Sequence, residues 1–249
     1  MSLRGVSFLA LCLLASGCAV HANDPERATP TNTLPDVQSV SPDVPAAVRV
    51  TLPDLTRDSL ARQAKRLTVR VRNIGCAGIA VGSGFALAPD ILVTNRHVLA
   101  GAYELEVTTW NGRTYDIASA SVGVLGDLGI AVVDGRLPLV GRFGPAPKAD
   151  AVVMAVGYPL GGPLRLSRGA VIDRVDGATL GVPGAVVRLT ARIRPGNSGG
   201  PLLDRRGRVT GIVYAIERAT GFGLAIPVDT LRRLARIGGF ESVPPCGSP

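Results

Sequence analysis

The sequence predicts an all-β domain, a barrel or a sandwich. Short β-rich runs recur along the chain from residue 67. They span 67–74, 79–87, 91–94, 104–110, 128–133, 151–156, 169–175, 186–190, 209–215 and 223–226. Glycine supplies 31 and proline 19 of the 249 residues, about a fifth, and Gly, Pro, Asn or Asp separates most of the runs. That spacing is the pattern of a closed or two-layered antiparallel fold. Only 228–237 has a clear helical period, with Val228, Leu231, Leu234 and Ala235 on one face, Asp229 near its start and Gly238-Gly239 beyond its end. A shorter helix is expected around 58–65.

The N-terminus reads as an address. Arg4 precedes an apolar run over 6–15. A membrane span needs about 20 apolar residues, so this run has the length of a signal-peptide core instead. Leu14-Ala15-Ser16-Gly17-Cys18 resembles a bacterial lipobox, which makes residues 1–18 the signal and Cys18 the site of lipidation. Cleavage after Val20-His21-Ala22 is the other reading. Residues 19–57 are rich in Pro, Thr, Asp and Ser without periodicity, the composition of a disordered tether. Residues 58–249 form the remaining domain. No later run is long enough to span a membrane, so that domain is expected to be soluble and exported. Cys76 and Cys246 remain after processing. In an exported chain they invite one disulfide, worth about 4–5 kcal/mol for so long a loop.

Composition narrows the function. Hydrophobic residues make up 46% and charged residues 18%, a globular balance. Aromatics are only 4%, too few for stacking platforms on single-stranded nucleic acid. The net charge is +8, and Lys65 and Lys148 are the only lysines among 27 basic residues. The arginines are scattered, and their densest cluster, Arg205-Arg206-Gly207-Arg208, resembles a turn tip. This is a basic surface with no nucleic-acid partner implied. No Zn-type Cys/His cluster and no phosphate loop occurs, so no metal or cofactor is expected. Gly82-Ser83-Gly84 lacks the third glycine of a dinucleotide fingerprint and reads as a close-packed strand.

Three elements carry chemistry. His97 is the single histidine beyond His21 and stands where the 91–94 strand ends, at a barrel rim, placed to shuttle protons near neutral pH. Ser198 lies in Pro195-Gly196-Asn197-Ser198-Gly199-Gly200-Pro201-Leu202. A serine hydroxyl needs a base to become a nucleophile. The glycines allow a tight turn and let the N–H groups of Gly196 and Ser198 point at one spot, an oxyanion hole. Asp127 opens the apolar strand of Gly126-Asp127-Leu128-Gly129-Ile130 and suits the far imidazole nitrogen. Asp116 lacks this pattern, and Asp134 begins an Asp-Gly turn. Chain order discriminates further. An α/β-hydrolase elbow needs a histidine after the serine, and none follows His97. The subtilisin order lacks a suitable Asp before His97. The order His97, Asp127, Ser198 is the chymotrypsin-type one.

Thr94-Asn95-Arg96-His97-Val98, Asp127-Leu128 and Gly196-Asn197-Ser198-Gly199-Gly200-Pro201-Leu202 resemble the three signature blocks of trypsin-like serine proteases. Gly82-Ser83-Gly84-Phe85, Gly157-Tyr158-Pro159-Leu160-Gly161 and Gly223-Leu224-Ala225-Ile226-Pro227 resemble the bacterial HtrA/Do branch. The resemblance covers about residues 67–237. It implies two six-stranded antiparallel β-barrels with a short C-terminal helix and a cleft between the barrels. It implies His97 as base, Asp127 as its orienter, Ser198 as nucleophile, and Gly196 and Ser198 N–H as the oxyanion hole. Protein or peptide substrates follow, with Arg192, Val213, Ala215 and Ile216 around the side-chain pocket. No carboxylate stands where Lys/Arg preference would need one, so small or medium apolar residues are expected before the cut bond. Two departures stand out. About a dozen residues follow the helix, too few for a PDZ domain. Asn197 replaces the Asp that pairs with a new N-terminus in zymogen-type relatives, so activity without a cut is expected. The reading is an exported serine endopeptidase, a lipoprotein of the bacterial envelope or a secreted enzyme. The rivals are a protease-fold binding protein with a closed or malformed cleft, suggested by Gly129 and the missing regulatory domain, and a basic envelope protein that binds anionic lipid or polymer.

Overall fold

The computed structural model describes residues 54–243. The signal, Cys18, Cys246 and nearly all of the tether lie outside them. The first element is α1 (Arg57–Leu67), capped by the Thr56 hydroxyl, which accepts from Ser59 N–H at 3.2 Å. Asp58 in its first turn and Lys65 and Arg66 in its last complement the helix dipole. Leu60, Ala64 and Leu67 fall on one face and are buried. Just before it, Leu55 N–H donates to Arg205 O at 2.9 Å, and Asp54 meets the Arg205 guanidinium at 3.1 Å. The last residues of the expected tether are therefore docked on the domain.

Thirteen strands follow among the described residues. The first group is β1 (Thr68–Gly75), β2 (Gly78–Ala88), β3 (Ile91–Thr94), β4 (Ala102–Thr108), β5 (Thr114–Gly123) and β6 (Gly129–Val133). These pair antiparallel in the order β5-β4-β1-β2-β3-β6, and β5 also pairs with β6, which closes the barrel. The second group is β7 (Val152–Gly157), β8 (Arg165–Asp176), β9 (Ala185–Leu189), β10 (Pro201–Leu203), β11 (Val209–Ile216) and β12 (Gly223–Pro227). They form a second closed barrel, in the order β10-β11-β12-β9-β8-β7. One helical turn, α2 (Arg96–Leu99), follows β3, and α3 (Val228–Ile237) follows β12. β13 (Phe240–Ser242) then returns to the first barrel and pairs with β5. The chymotrypsin-like double barrel is thus the architecture.

The strand period of two sorts side chains into three cores. Val69, Val71, Leu92, Val107 and Ala131 fill the first barrel. Val153, Val187, Leu189, Leu202 and Val213 fill the second. Their immediate neighbours point the other way, into a seam that joins the barrels. Val93 beside Leu92, Val186 beside Val187, Leu203 beside Leu202, and Ile212 and Tyr214 on either side of Val213 all lie there. Leu60 of α1 and Leu231 and Leu234 of α3 complete the seam. Runs that are apolar on both faces, as these are, read as continuous hydrophobic stretches and were legible as such.

Three strands lie outside the expected runs. β5 contains Ala118-Ser119-Ala120-Ser121, residues too small to give a hydrophobic alternation, yet it is held on both sides by β4 and β6. β10 and β13 are three residues each, below the length at which alternation is recognisable. The Arg205–Arg208 cluster does form a turn tip, between β10 and β11, where Asp204 accepts from the N–H groups of Arg206 and Arg208 at 2.9 Å each.

Leu203 is fully buried in the seam, so Leu203→Ala is expected to cost about 2–5 kcal/mol. Ile237→Ala, at a residue 59% exposed, is expected to change stability by less than about 0.5 kcal/mol. Urea midpoints at a common slope measure both. Equal losses would mean that the seam does not hold the barrels together.

Candidate active site

α2 is the device that carries His97. Asn95 turns the chain out of β3, and Val98 and Leu99 anchor the turn in the core, at 5% and 0% exposure. The Asn73 amide of β1 donates to Val98 O and Ala100 O, both at 2.9 Å, and ties the far end down. The imidazole is left half-exposed. Asp127 lies in the loop between β5 and β6 with its side chain 13% exposed. One carboxylate oxygen accepts from the His97 backbone N–H at 3.0 Å, and the other hydrogen-bonds His97 Nδ1. With Nδ1–H donating to a carboxylate, Nε2 of the neutral ring is left as the acceptor. The Asn95 amide donates to Asp127 O at 2.6 Å and locks the two loops together. Gly129 has a packing explanation. A Cβ there would stand 2.6 Å from Leu99 Cδ1 and 3.2 Å from Asn95 O, so any side chain would press on the α2 turn.

Ser198 sits in the loop between β9 and β10. Gly196 and Gly199 adopt φ of 93° and 85°. A Cβ on Gly196 would lie 2.4 Å from Tyr158 O, and one on Gly199 would lie 2.0 Å from Ser83 O. Both glycines are thus demanded twice, by conformation and by space. Pro195 O accepts from Leu160 N–H at 2.7 Å, and Asn197 O accepts from Gly200 N–H at 3.0 Å. In a planar trans peptide the N–H points opposite to the carbonyl. These two bonds fix the directions of the Gly196 and Ser198 N–H groups, and neither N–H has an acceptor among the described residues. Leu160 makes its bond from a left-handed conformation, φ 55°, that a leucine adopts only under constraint.

Ser83 holds this loop from the opposite barrel. It is fully buried. Its N–H donates to Ser198 O at 2.7 Å and its hydroxyl to Gly196 O at 2.6 Å. The same hydroxyl accepts from Tyr158 N–H at 2.9 Å, and Ser83 O accepts from the Thr94 hydroxyl at 2.7 Å. Beside it, Gly82 lies between the two halves of the site. A Cβ there would stand 2.7 Å from the Val98 methyls and 3.2 Å from Ser198 O. The residue after His97 and the backbone of Ser198 thus converge on one glycine.

The Ser198 hydroxyl donates to Tyr214 O at 3.2 Å rather than to His97. Tyr214 is the extra residue of a β-bulge between Val213 and Ala215, which frees its carbonyl from the ladder. Its ring is buried in the seam and its hydroxyl has no hydrogen-bond partner. Burial, then the nearby charges of Asp127 and Glu217, push that phenol up to about 12, so it stays neutral. Asn197 is 2% exposed with its Oδ1 unpaired. A neutral amide leaves no buried charge to neutralise here.

Around the expected side-chain pocket, Arg192 and Ile216 are exposed and Ala215 is half-buried. Val213 is placed differently. Its side chain fills the interior of the second barrel, and it serves the site through its backbone, accepting from Gly199 N–H at 2.8 Å and donating to Gly200 O at 2.9 Å. Glu217 lies just beyond, 3.6 Å from Arg188. Among the described residues no group of three or more His, Cys, Asp or Glu side chains could hold a metal. The sequence pattern did not single out Ser83, Leu160 or Tyr214 for the site. Only the Gly-Ser-Gly setting of Ser83 marked a strand under close approach.

Ser83→Ala removes the donor to Gly196 O and the acceptor for Tyr158 N–H. It is expected to lower kcat about 10²-fold with KM nearly unchanged, through misplacement of the loop. The stability loss should be about 1–3 kcal/mol. Steady-state kinetics beside urea unfolding test this. A pure stability loss with kcat intact would remove Ser83 from the site.

Comparison with known proteins agrees with this fold. The trypsin-like peptidase domain family matches residues 82–212. The chain is 31% identical over 229 residues to the serine protease Rv3671c of Mycobacterium tuberculosis, covering 86% of this chain and 54% of that one. It is 37% identical over 166 residues to the chloroplastic Protease Do-like 1 of Arabidopsis thaliana, covering 60% and 37%. The chain spans about half the length, or less, of the curated relatives it matches. The active form of the Rv3671c protease superposes with a TM-score of 0.65 at 26% identity, over 76% of this chain and 89% of that one. The serine endoprotease of Yersinia pestis superposes with a TM-score of 0.63 at 27% identity, over 76% and 69%. With its double barrel, its His–Asp pair and its glycine-bound serine loop all inside or beside the matched segment, the chain belongs to the trypsin-like peptidase family.

Proposed function

We propose that the protein is an exported serine endopeptidase that hydrolyses peptide bonds through an acyl-enzyme. One observation carries the proposal: two N–H groups, those of Gly196 and Ser198, are fixed in direction by the bonds on their partner carbonyls and have no acceptor among the described residues. Beside them lies a serine hydroxyl held only by Tyr214 O. Such preorganised donors are what a developing oxyanion requires.

In this reading the Ser198 hydroxyl leaves Tyr214 O by a turn about its Cα–Cβ bond and donates to His97 Nε2. As its oxygen attacks the substrate carbonyl carbon, the proton passes to Nε2. Asp127 stabilises the imidazolium through Nδ1–H and does not itself take the proton. The carbonyl oxygen, now negative, sits on Gly196 and Ser198 N–H. His97 returns the proton to the leaving amine, and the C–N bond breaks. Water then repeats the sequence on the ester and frees the acid. Ala215 and Ile216 at the rim favour small or medium apolar side chains before the cut bond. Asn197 favours activity in the uncut chain. Outside the site, Cys76 is disulfide-bonded, and Cys246 is its proposed partner. Lipidation at Cys18 would place the enzyme on a bacterial envelope membrane, and cleavage after Ala22 would release it.

The Ser198–Tyr214 hydrogen bond favours a second reading, a protease-fold protein that binds peptides without cutting them. A fluorophosphonate probe separates the two. Full-length wild type is expected to be labelled at Ser198 without prior cleavage between residues 67 and 79, and Ser198→Ala is expected to be inert. Asp127→Asn should lower kcat about 10⁴-fold by leaving the imidazole in the wrong tautomer. Unlabelled wild type that still binds peptide would establish the second reading.

A peptide library gives the specificity. Cleavage is expected after Ala, Val or residues of similar size. Cleavage mainly after Lys or Arg would contradict the apolar rim.

A further inference from the structure

A groove of about 730 Å³ lies apart from the triad, between α1, β1, the β4–β5 hairpin and the segment after β7. Lys65, Arg70, Trp110, Tyr158, Leu164 and Leu166 are among its walls. Its size is within the rough 300–1,000 Å³ range of ligand sites. The lining is one-sided in charge. It contains two cations, and no carboxylate is among the described residues that form it. It also contains a part-exposed aromatic. Trp110 is 41% exposed, with the Lys65 ammonium 4.9 Å from its ring centroid.

We propose that this groove is an exosite for an acidic stretch of the polypeptide substrate, held away from the bond being cut. The identification of the ligand as substrate rests on the proteolytic reading above. The chemistry of recognition is in the walls. Lys65 offers an ammonium on a flexible stem. Arg70 spends one N–H on Gly161 O at 3.1 Å and keeps other donors of its fork for a carboxylate. The part of the Trp110 ring that Lys65 leaves exposed and the side chains of Leu164 and Leu166 accept apolar side chains that alternate with the acidic ones in an extended segment. The net charge of +8 adds a long-range attraction for an acidic chain.

The groove is also joined to the oxyanion loop. Arg70 grips Gly161, and the neighbouring Leu160 N–H holds Pro195 O at 2.7 Å. Tyr158, in the groove wall, donates its N–H to the Ser83 hydroxyl. An occupant that steadies residues 158–162 therefore steadies the peptide plane that aims Gly196 N–H.

Trp110 is the only tryptophan in the chain, so its emission reports the groove directly. The test uses the full chain carrying Ser198→Ala, which binds without cutting and so does not depend on catalysis. It is titrated with a blocked pentapeptide that alternates Asp or Glu with Leu and Phe. The control is the same peptide with Asn and Gln in place of the acids. The acidic peptide is expected to give a saturable emission change that weakens with salt. The neutral peptide should bind at least tenfold more weakly. Lys65→Glu should weaken the acidic peptide by a similar factor, and Lys65→Arg should retain it. No emission change, or equal binding of the two peptides, overturns the proposal. So does a response to phosphatidylglycerol vesicles in the absence of any to the acidic peptide. Peptide binding in a protein whose wild type takes no fluorophosphonate leaves the exosite standing and removes only the proteolytic reading.

Discussion

Ser83 is the point on which the two barrels and the site depend. One buried residue of the first barrel ties Ser198 O, Gly196 O, Tyr158 N–H and the Thr94 hydroxyl into a single cluster. The four partners belong to three parts of the site. Thr94 ends the strand that leads to His97. Tyr158 begins the segment that pins Pro195. Ser198 and Gly196 belong to the proposed nucleophile loop. In a dry interior an unpaired member of such a cluster is costly, so the contacts hold as a set. The glycines around them follow from the same constraint, because the backbones approach closer than any Cβ allows.

The seam explains how a loop on one barrel can be positioned by a strand of the other. Strand alternation sends one face of β3, β9, β10 and β11 into a barrel and the other face into the shared core. Helices α1 and α3 pack onto that same core, and β13 carries the chain from the second barrel back to the first. Fixing the seam fixes how the strand that leads to the His–Asp pair stands relative to the strands that flank the serine loop. The placement of these loops is thus a consequence of packing beneath them.

Much of this was legible in the sequence, and the limits have physical causes. The ten short β-rich runs announced their strands because they are β-rich and mostly bounded by turn residues. β5 was illegible because Ala and Ser give no contrast between its faces, and β10 and β13 because three residues carry no period. His97, Asp127 and Ser198 stood out through chain order and the glycines around the serine. Ser83, Leu160 and Tyr214 act through contacts made with residues distant in sequence, which local pattern does not encode. Val213 misled because its backbone serves the serine loop while its side chain belongs to the barrel interior. Gly129 suggested a defect because the sequence does not show how closely the α2 turn packs against it.

A structure with a peptidyl boronate bound tests the central claim most directly. The account predicts boron bonded to Ser198 Oγ, one boronate oxygen within hydrogen-bonding distance of both Gly196 N and Ser198 N, and the Ser83 cluster unmoved. Ser198 Oγ would have left Tyr214 O. A boronate that binds only after the 195–200 loop rearranges, or that leaves those two N–H groups unused, would contradict it.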